Sequence, residues 1–204
     1  MKHIIRKIAI VGLVIALGHV SALADSPSTK TQSPETQAMM KKMQEAGTPG
    51  VQHQMLEPLV GEWKATSSWR MSPTHAPEKS TASAKRTWVL GGRFLQEQYD
   101  DANAEHPFKG IGMMGFDNVT KQFTSAWFDT MSTAIWQSSG SVDATSKNFA
   151  FEGEGSCPMT GGLKKTRSEL EIVSTNKNVF RMFDKTPEGK EFKALEIVYE
   201  RVTG

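Results

Sequence analysis

Two carboxylates lie among aromatic residues at strand spacing, and of all the groups in this chain they are best placed to do chemistry. Side chains alternate across a strand, so Leu95, Glu97 and Tyr99 share one face of a strand. Phe123, Ser125, Trp127, Asp129 and Met131 likewise share one face of another. If these faces turn inward, Glu97 and Asp129 enter an apolar interior; if the opposite faces are buried, both carboxylates stand in water. A buried carboxylate is costly unless it is protonated, meets a cation such as Arg86 or Arg167, or is wetted by a cavity. The inward reading predicts a pocket lined by Glu97, Tyr99, Trp127 and Asp129, with Arg167 as its cation. Such a pocket suits a ligand with an apolar body and one polar or charged end. The same carboxylates, with Tyr99 or His106 near them, would also be the residues of acid–base catalysis.

Other reactive groups give less. His53, His75 and His106 are too widely separated for a zinc site, so no metal is expected. Cys157, in Ser156-Cys157-Pro158-Met159-Thr160-Gly161-Gly162, has no His or Asp close in sequence to activate it and reads as a free thiol. Met39, Met40 and Met43 resemble soft Cu(I) ligands, but a methionine stripe at helical spacing is more often plastic packing. Gly110-Ile111-Gly112-Met113-Met114-Gly115 satisfies the dinucleotide fingerprint Gly-x-Gly-x-x-Gly. That motif needs a helix N-terminus to receive the phosphate, whereas here Phe116-Asp117-Asn118 turns into another strand. The glycines are instead expected to relieve crowding or to leave room opposite a bulky neighbour.

The elements that carry these residues are strands. Ten runs rich in β-branched and aromatic residues fall at approximately 59–69, 80–90, 93–101, 107–116, 122–131, 133–142, 148–156, 163–174, 179–185 and 191–202. In the first, Trp63, Ala65, Ser67 and Trp69 alternate with Glu62, Lys64, Thr66 and Ser68. The joints are turn-forming: Gly91-Gly92, Asp117-Asn118-Val119-Thr120-Lys121, Asp143-Ala144-Thr145-Ser146-Lys147-Asn148, Thr175-Asn176-Lys177-Asn178 and Thr186-Pro187-Glu188-Gly189-Lys190. Such close spacing permits only neighbouring antiparallel strands and leaves no stretch for a parallel crossover. The fold class is therefore all-β: an up-and-down antiparallel barrel of about ten strands over 59–204. A flexible Ser/Thr/Pro-rich tether over 25–34 and a short helical segment over 35–58 precede it. Ala38, Met39, Met43 and Ala46 fall at helical spacing, which predicts docking on an open barrel end.

The first strand carries Gly61-Glu62-Trp63 and the last ends on Tyr199-Glu200-Arg201. This resembles the calycins, the lipocalin-like barrels in which that Trp and that Arg pack together to close one end, and it implies the same structural role for Trp63 and Arg201. Further stretches are Val89-Leu90-Gly91-Gly92-Arg93-Phe94-Leu95, Phe108 to Asn118, Ser125-Ala126-Trp127-Phe128-Asp129-Thr130-Met131, Pro158-Met159-Thr160-Gly161 and Glu188-Gly189-Lys190-Glu191-Phe192-Lys193 leading to Glu196-Ile197-Val198-Tyr199. With these five in order, the chain from Thr48 to Val202 resembles the bacterial family catalogued as domain of unknown function 1579. That resemblance implies a lipocalin-like barrel and no activity. Nitrobindins, haem-binding barrels of similar fold, use a His of the C-terminal part as iron ligand; no His follows His106, so haem and other cofactors are not expected.

Residues 1–24 read as a cleavable signal peptide. Lys2, Arg6 and Lys7 precede an apolar run from Ile8 to Leu17, and Ala22-Leu23-Ala24 supplies a small-x-small site. The run is shorter than the roughly 20 residues of a membrane span. Loss of those three basic residues leaves 21 Lys and Arg against 22 Asp and Glu, a net charge of −1. A near-neutral exported protein is expected, periplasmic or secreted, with no electrostatic case for nucleic acid or an anionic membrane. One cysteine excludes an internal disulfide, so core and strand ladder must hold the barrel. Three functions remain open: a carrier or sensor of a small apolar ligand, a filled interaction barrel, and an enzyme using the interior carboxylates.

Overall fold

A computed structural model describes residues 33–101 and 107–203. The expected signal peptide, nearly all of the tether, and His106 lie outside these residues. Ten strands follow in order: β1 Gly61–Trp69, β2 Glu78–Val89, β3 Phe94–Asp101, β4 Phe108–Asp117, β5 Gln122–Asp129, β6 Trp136–Val142, β7 Asn148–Cys157, β8 Gly162–Ser174, β9 Lys177–Lys185 and β10 Glu191–Arg201. Each pairs with its neighbour in the chain, and β1 closes on β10, giving the ten-stranded up-and-down barrel. The alternation is plain in β2: Ala82, Ala84 and Arg86 are buried while Thr81, Ser83, Lys85 and Thr87 are exposed. Aspartates set two of the turns. Asp117 Oδ1 accepts from the Val119 amide and its Oδ2 from the Thr120 hydroxyl, both at 2.8 Å. Asp143 accepts from the amide and hydroxyl of Thr145 at 3.1 and 2.8 Å, the local side-chain bonding that favours a turn over a continued strand.

One end of the barrel is closed. The short helix α2, Val51–Gln54, and a 3₁₀ turn, Glu57–Leu59, follow the first helix, α1 Pro34–Gly47. They put Leu56 and Leu59 into a core with Leu95, Phe123, Phe149, Phe151, Leu170 and Ile172. Trp63 lies above them with its indole N–H donated to the Leu59 carbonyl at 2.9 Å. The Arg201 guanidinium covers the other side of that indole, 4.1 Å from the ring centroid. It also donates to the carbonyls of Val60 at 2.6 Å, Pro58 at 2.8 Å and Thr175 at 2.8 Å. Gly61 is required here twice over: its φ is +128°, and a Cβ would overlap Arg201 Nη1. Gly-x-Trp and the terminal Arg are one structural unit.

The expected docking of the amphipathic helix is not what α1 does. Ser33 caps it, accepting from the Thr36 amide at 3.2 Å, but no residue of α1 is buried, and Met39 and Met43 are 57% and 64% exposed. The barrel end that its methionines were expected to cover is already filled by Leu56 and Leu59. What ties α1 down is polar: Asn118 Nδ2 donates to the carbonyls of Glu45, Ala46 and Thr48 at 3.2, 3.1 and 2.8 Å. Among the described residues, no helix is long and apolar enough to cross a membrane.

Candidate functional site

Strand register decides which residues face inward. Trp63, Ala65, Ala84, Leu95 and Phe123 are buried, so their parity marks the interior. Glu97 and Tyr99 share the parity of Leu95, and Ser125, Trp127 and Asp129 that of Phe123; all five face inward. The register Tyr99↔Gly110 and Gly112↔Trp127 places them side by side across β3, β4 and β5.

At mid-depth the interior holds a polar cluster around Arg86, which is 4% exposed. Its Nε lies 3.2 Å from Glu97 Oε2, Nη1 donates to Asn178 Oδ1 at 3.0 Å, and the guanidinium sits 4.1 Å from the Tyr199 ring centroid. Burial disfavours the charged guanidinium, but the Glu97 carboxylate outweighs it and holds Arg86 above the ordinary arginine range. Burial, together with the nearby Glu97 charge, pushes the Tyr199 phenol well up. Burial and the charges of Asp101 and Glu97 push Tyr99 up to about 12 against a hydrogen bond with Ser67. Asn178 Nδ2 is buried without a partner among the described residues. Arg86 thus takes the role expected of Arg167.

Arg167 lies elsewhere. Leu170 and Ile172 set the inward parity of β8, so Arg167 projects outward, where it pairs with Glu191 at 2.7 and 3.0 Å, bonds to Glu169 and covers the Phe183 ring at 3.8 Å. It borders a hollow of about 930 Å³ with Met113, Ser125, Ser138, Glu152 and Phe183, and Glu97 is not part of that lining. The shared pocket with Arg167 is therefore corrected: four of the five residues come together and the fifth does not.

Nearer the open end, Trp127 lies flat on the inside of β4. A Cβ on Gly110 would overlap its ring, and one on Gly112 would stand 3.3 to 3.4 Å from the ring's other edge. Tyr99 meets Trp127 edge to face at 6.2 Å between centroids, and Phe108 lies nearly parallel to it at 6.4 Å. The indole N–H donates to Asp129 Oδ2 at 2.8 Å, and the Met131 amide donates to Oδ1 at 2.9 Å. Both Asp129 oxygens are held by neutral N–H groups. Trp136, the register partner of Trp127, would likewise be struck by a Cβ on Gly155.

The inward residues of this half are less buried than those of the closed half. Ser125, Trp127, Trp136, Ser138, Met182 and Leu195 point inward by register, yet all are half-buried rather than buried. Ser125 and Ser138, inward by register, share a hydroxyl hydrogen bond of 2.7 Å. Cys157 is buried at the mouth; the Thr160 amide and hydroxyl hold its thiol below the usual range. His53 lies in the closed end, where its Nδ1 accepts from the Gly50 amide at 3.0 Å, and burial lowers its pKa. Among the described residues, no three His, Cys, Asp or Glu groups are placed to hold a metal.

Known proteins share this architecture. The crystal structure of Rv2717c from M. tuberculosis is similar over 76% of this chain and 100% of its own, at 14% identity and a TM-score of 0.56. The S-type phycobiliprotein lyase CPES from Guillardia theta is similar over 78% of this chain and 96% of its own, at 11% identity and a TM-score of 0.50. At such identities the likeness establishes the lipocalin-like fold alone. No curated protein matches. Residues 48–201 match the family described as protein of unknown function DUF1579, which takes in every strand of the barrel, and the chain belongs to that family.

Proposed function

We propose that this protein binds a small, mainly apolar ligand with one polar end in the open half of its barrel, and does so after export. The observation that carries this reading is a contrast in burial: inward-facing Trp127, Trp136, Ser138, Met182 and Leu195 are half-buried, whereas the closed half of the same barrel is packed. A protein that needed only a scaffold would gain by filling that space, since apolar surface left wet forfeits about 25 cal/mol per Å². Met182 and Leu195 would meet the apolar body, the indoles would stack on it, and the serine hydroxyls and carboxylates would meet its polar end. Export is supported by the basic, apolar and small-residue succession of residues 1–24, and cleavage after Ala24 would start the mature chain at Asp25.

The neutral apolar fluorophore N-phenyl-1-naphthylamine tests the binding reading. It should gain emission at one equivalent per barrel and draw energy from the tryptophans. Ser168→Trp, which adds bulk to an inward position, should suppress that gain while the fold persists by circular dichroism. Equal uptake by both proteins would place the probe outside the lumen and remove the support. Edman sequencing of the native protein tests export: Asp25 is expected at the N-terminus, and an intact Met1 would contradict it.

A further inference from the structure

We infer that the lumen selects a ligand whose polar end is a cation, an amine or quaternary ammonium group, and that Trp127 and Asp129 form its seat; this rests on the lumen-binding reading above. Trp127 is held by contacts from several residues. Gly110 and Gly112 receive one face, Tyr99 and Phe108 flank it, and Asp129 holds its N–H at 2.8 Å. The ring is half-buried, so part of it stays open to solvent. An aromatic face carries the negative lobe of the ring quadrupole and attracts cations, most strongly for indole. Donation of the indole N–H to a carboxylate shifts further electron density into the ring and sets a full negative charge beside it.

Charge balance separates this site from two other carboxylates of the interior. Glu97 is neutralised by Arg86, and Asp184 by Lys164. Among the described residues the hydrogen-bond partners of Asp129 are two neutral N–H groups, the Trp127 indole and the Met131 amide, which do not cancel its charge. A cation over the Trp127 face would complete it, with the apolar body running inward toward Met182 and Leu195. An anionic head group would meet repulsion at the same place. The Gly-x-Gly of β4 acquires its function here: it is the bed on which the indole lies flat, and any larger residue at Gly110 would lift the ring away.

Calorimetric titration of the folded barrel with hexyltrimethylammonium, its uncharged isostere with carbon in place of nitrogen, and hexanesulfonate tests this. The cation should bind about tenfold or more tightly than the isostere, and the sulfonate more weakly than either. Asp129→Asn, which keeps an acceptor for the indole, and Trp127→Leu, which keeps apolar bulk, should each bring cation and isostere to within about threefold while leaving isostere binding in place. Equal binding of cation and isostere by the unaltered protein would overturn the inference and leave the lumen reading standing. Failure of all three probes to bind would overturn both.

Discussion

The Arg201 guanidinium lies 4.1 Å from the centroid of the Trp63 ring, and the two residues are direct register partners across β1 and β10. The strand pair that closes the barrel is therefore also the place where its end is sealed. Trp63→Ala should cost about 3–5 kcal/mol through the cavity it leaves. Arg201→Ala should cost about 2–4 kcal/mol, because it loses the ring contact and three carbonyl partners. Chemical denaturation measures both, with ligand uptake by the surviving folded fraction unchanged. A melting curve for Trp63→Ala that matched the unaltered protein would contradict the closure.

The two tyrosines of the chain, Tyr99 and Tyr199, both belong to the buried cluster. Their folded pKa values are raised above the usual 10, Tyr99 to about 12, so the native state binds more protons than the unfolded chain above pH 10. Stability is accordingly fully present below about pH 10 and falls as pH rises through 12. Absorbance at 295 nm should register no tyrosine ionising near pH 10 in the folded protein and both doing so in denaturant. A native titration centred at 10 would refute the burial.

Glu97→Ala leaves Arg86 charged and desolvated, and should cost about 3–5 kcal/mol. Exchanging both partners, Arg86→Met with Glu97→Leu, should recover most of that loss, since a buried pair adds little over a well-packed apolar one. Urea midpoints of the two proteins give the comparison. A double variant less stable than Glu97→Ala would mean that the pair itself holds β2 and β3 in register.

Asn118→Ala should free α1 without touching the barrel. It removes a donor shared by three carbonyls of an exposed segment, so barrel stability should shift by less than about 0.5 kcal/mol while amide protection in α1 collapses. Hydrogen exchange resolves the two effects.

Most of the architecture was legible because it rests on local rules. Turn chemistry at Asp117 and Asp143 and the period-2 alternation bring out the ten strands, and the inward faces of Glu97 and Asp129 follow from sharing parity with Leu95 and Phe123. The cation was misassigned because pairing across a barrel is a long-range matter. The signal existed all the same: Ala82 and Ala84 share the parity of Arg86, whereas Leu170 and Ile172 oppose that of Arg167. The exposure of α1 was not legible, since periodicity records an apolar stripe but not whether the surface it would cover is already filled by Leu56 and Leu59. Nor was the flat seating of Trp127 on Gly110 and Gly112, although two glycines opposite a tryptophan are its signature.

The central claim is that the open half of the barrel holds a ligand. Native mass spectrometry of the protein purified from its own cells, set beside the denatured polypeptide mass, tests it most directly. The account predicts a second species heavier by the mass of one small molecule, absent from Ser168→Trp. A single species at the bare polypeptide mass, from a protein that also takes up none of the apolar or cationic probes, would contradict it.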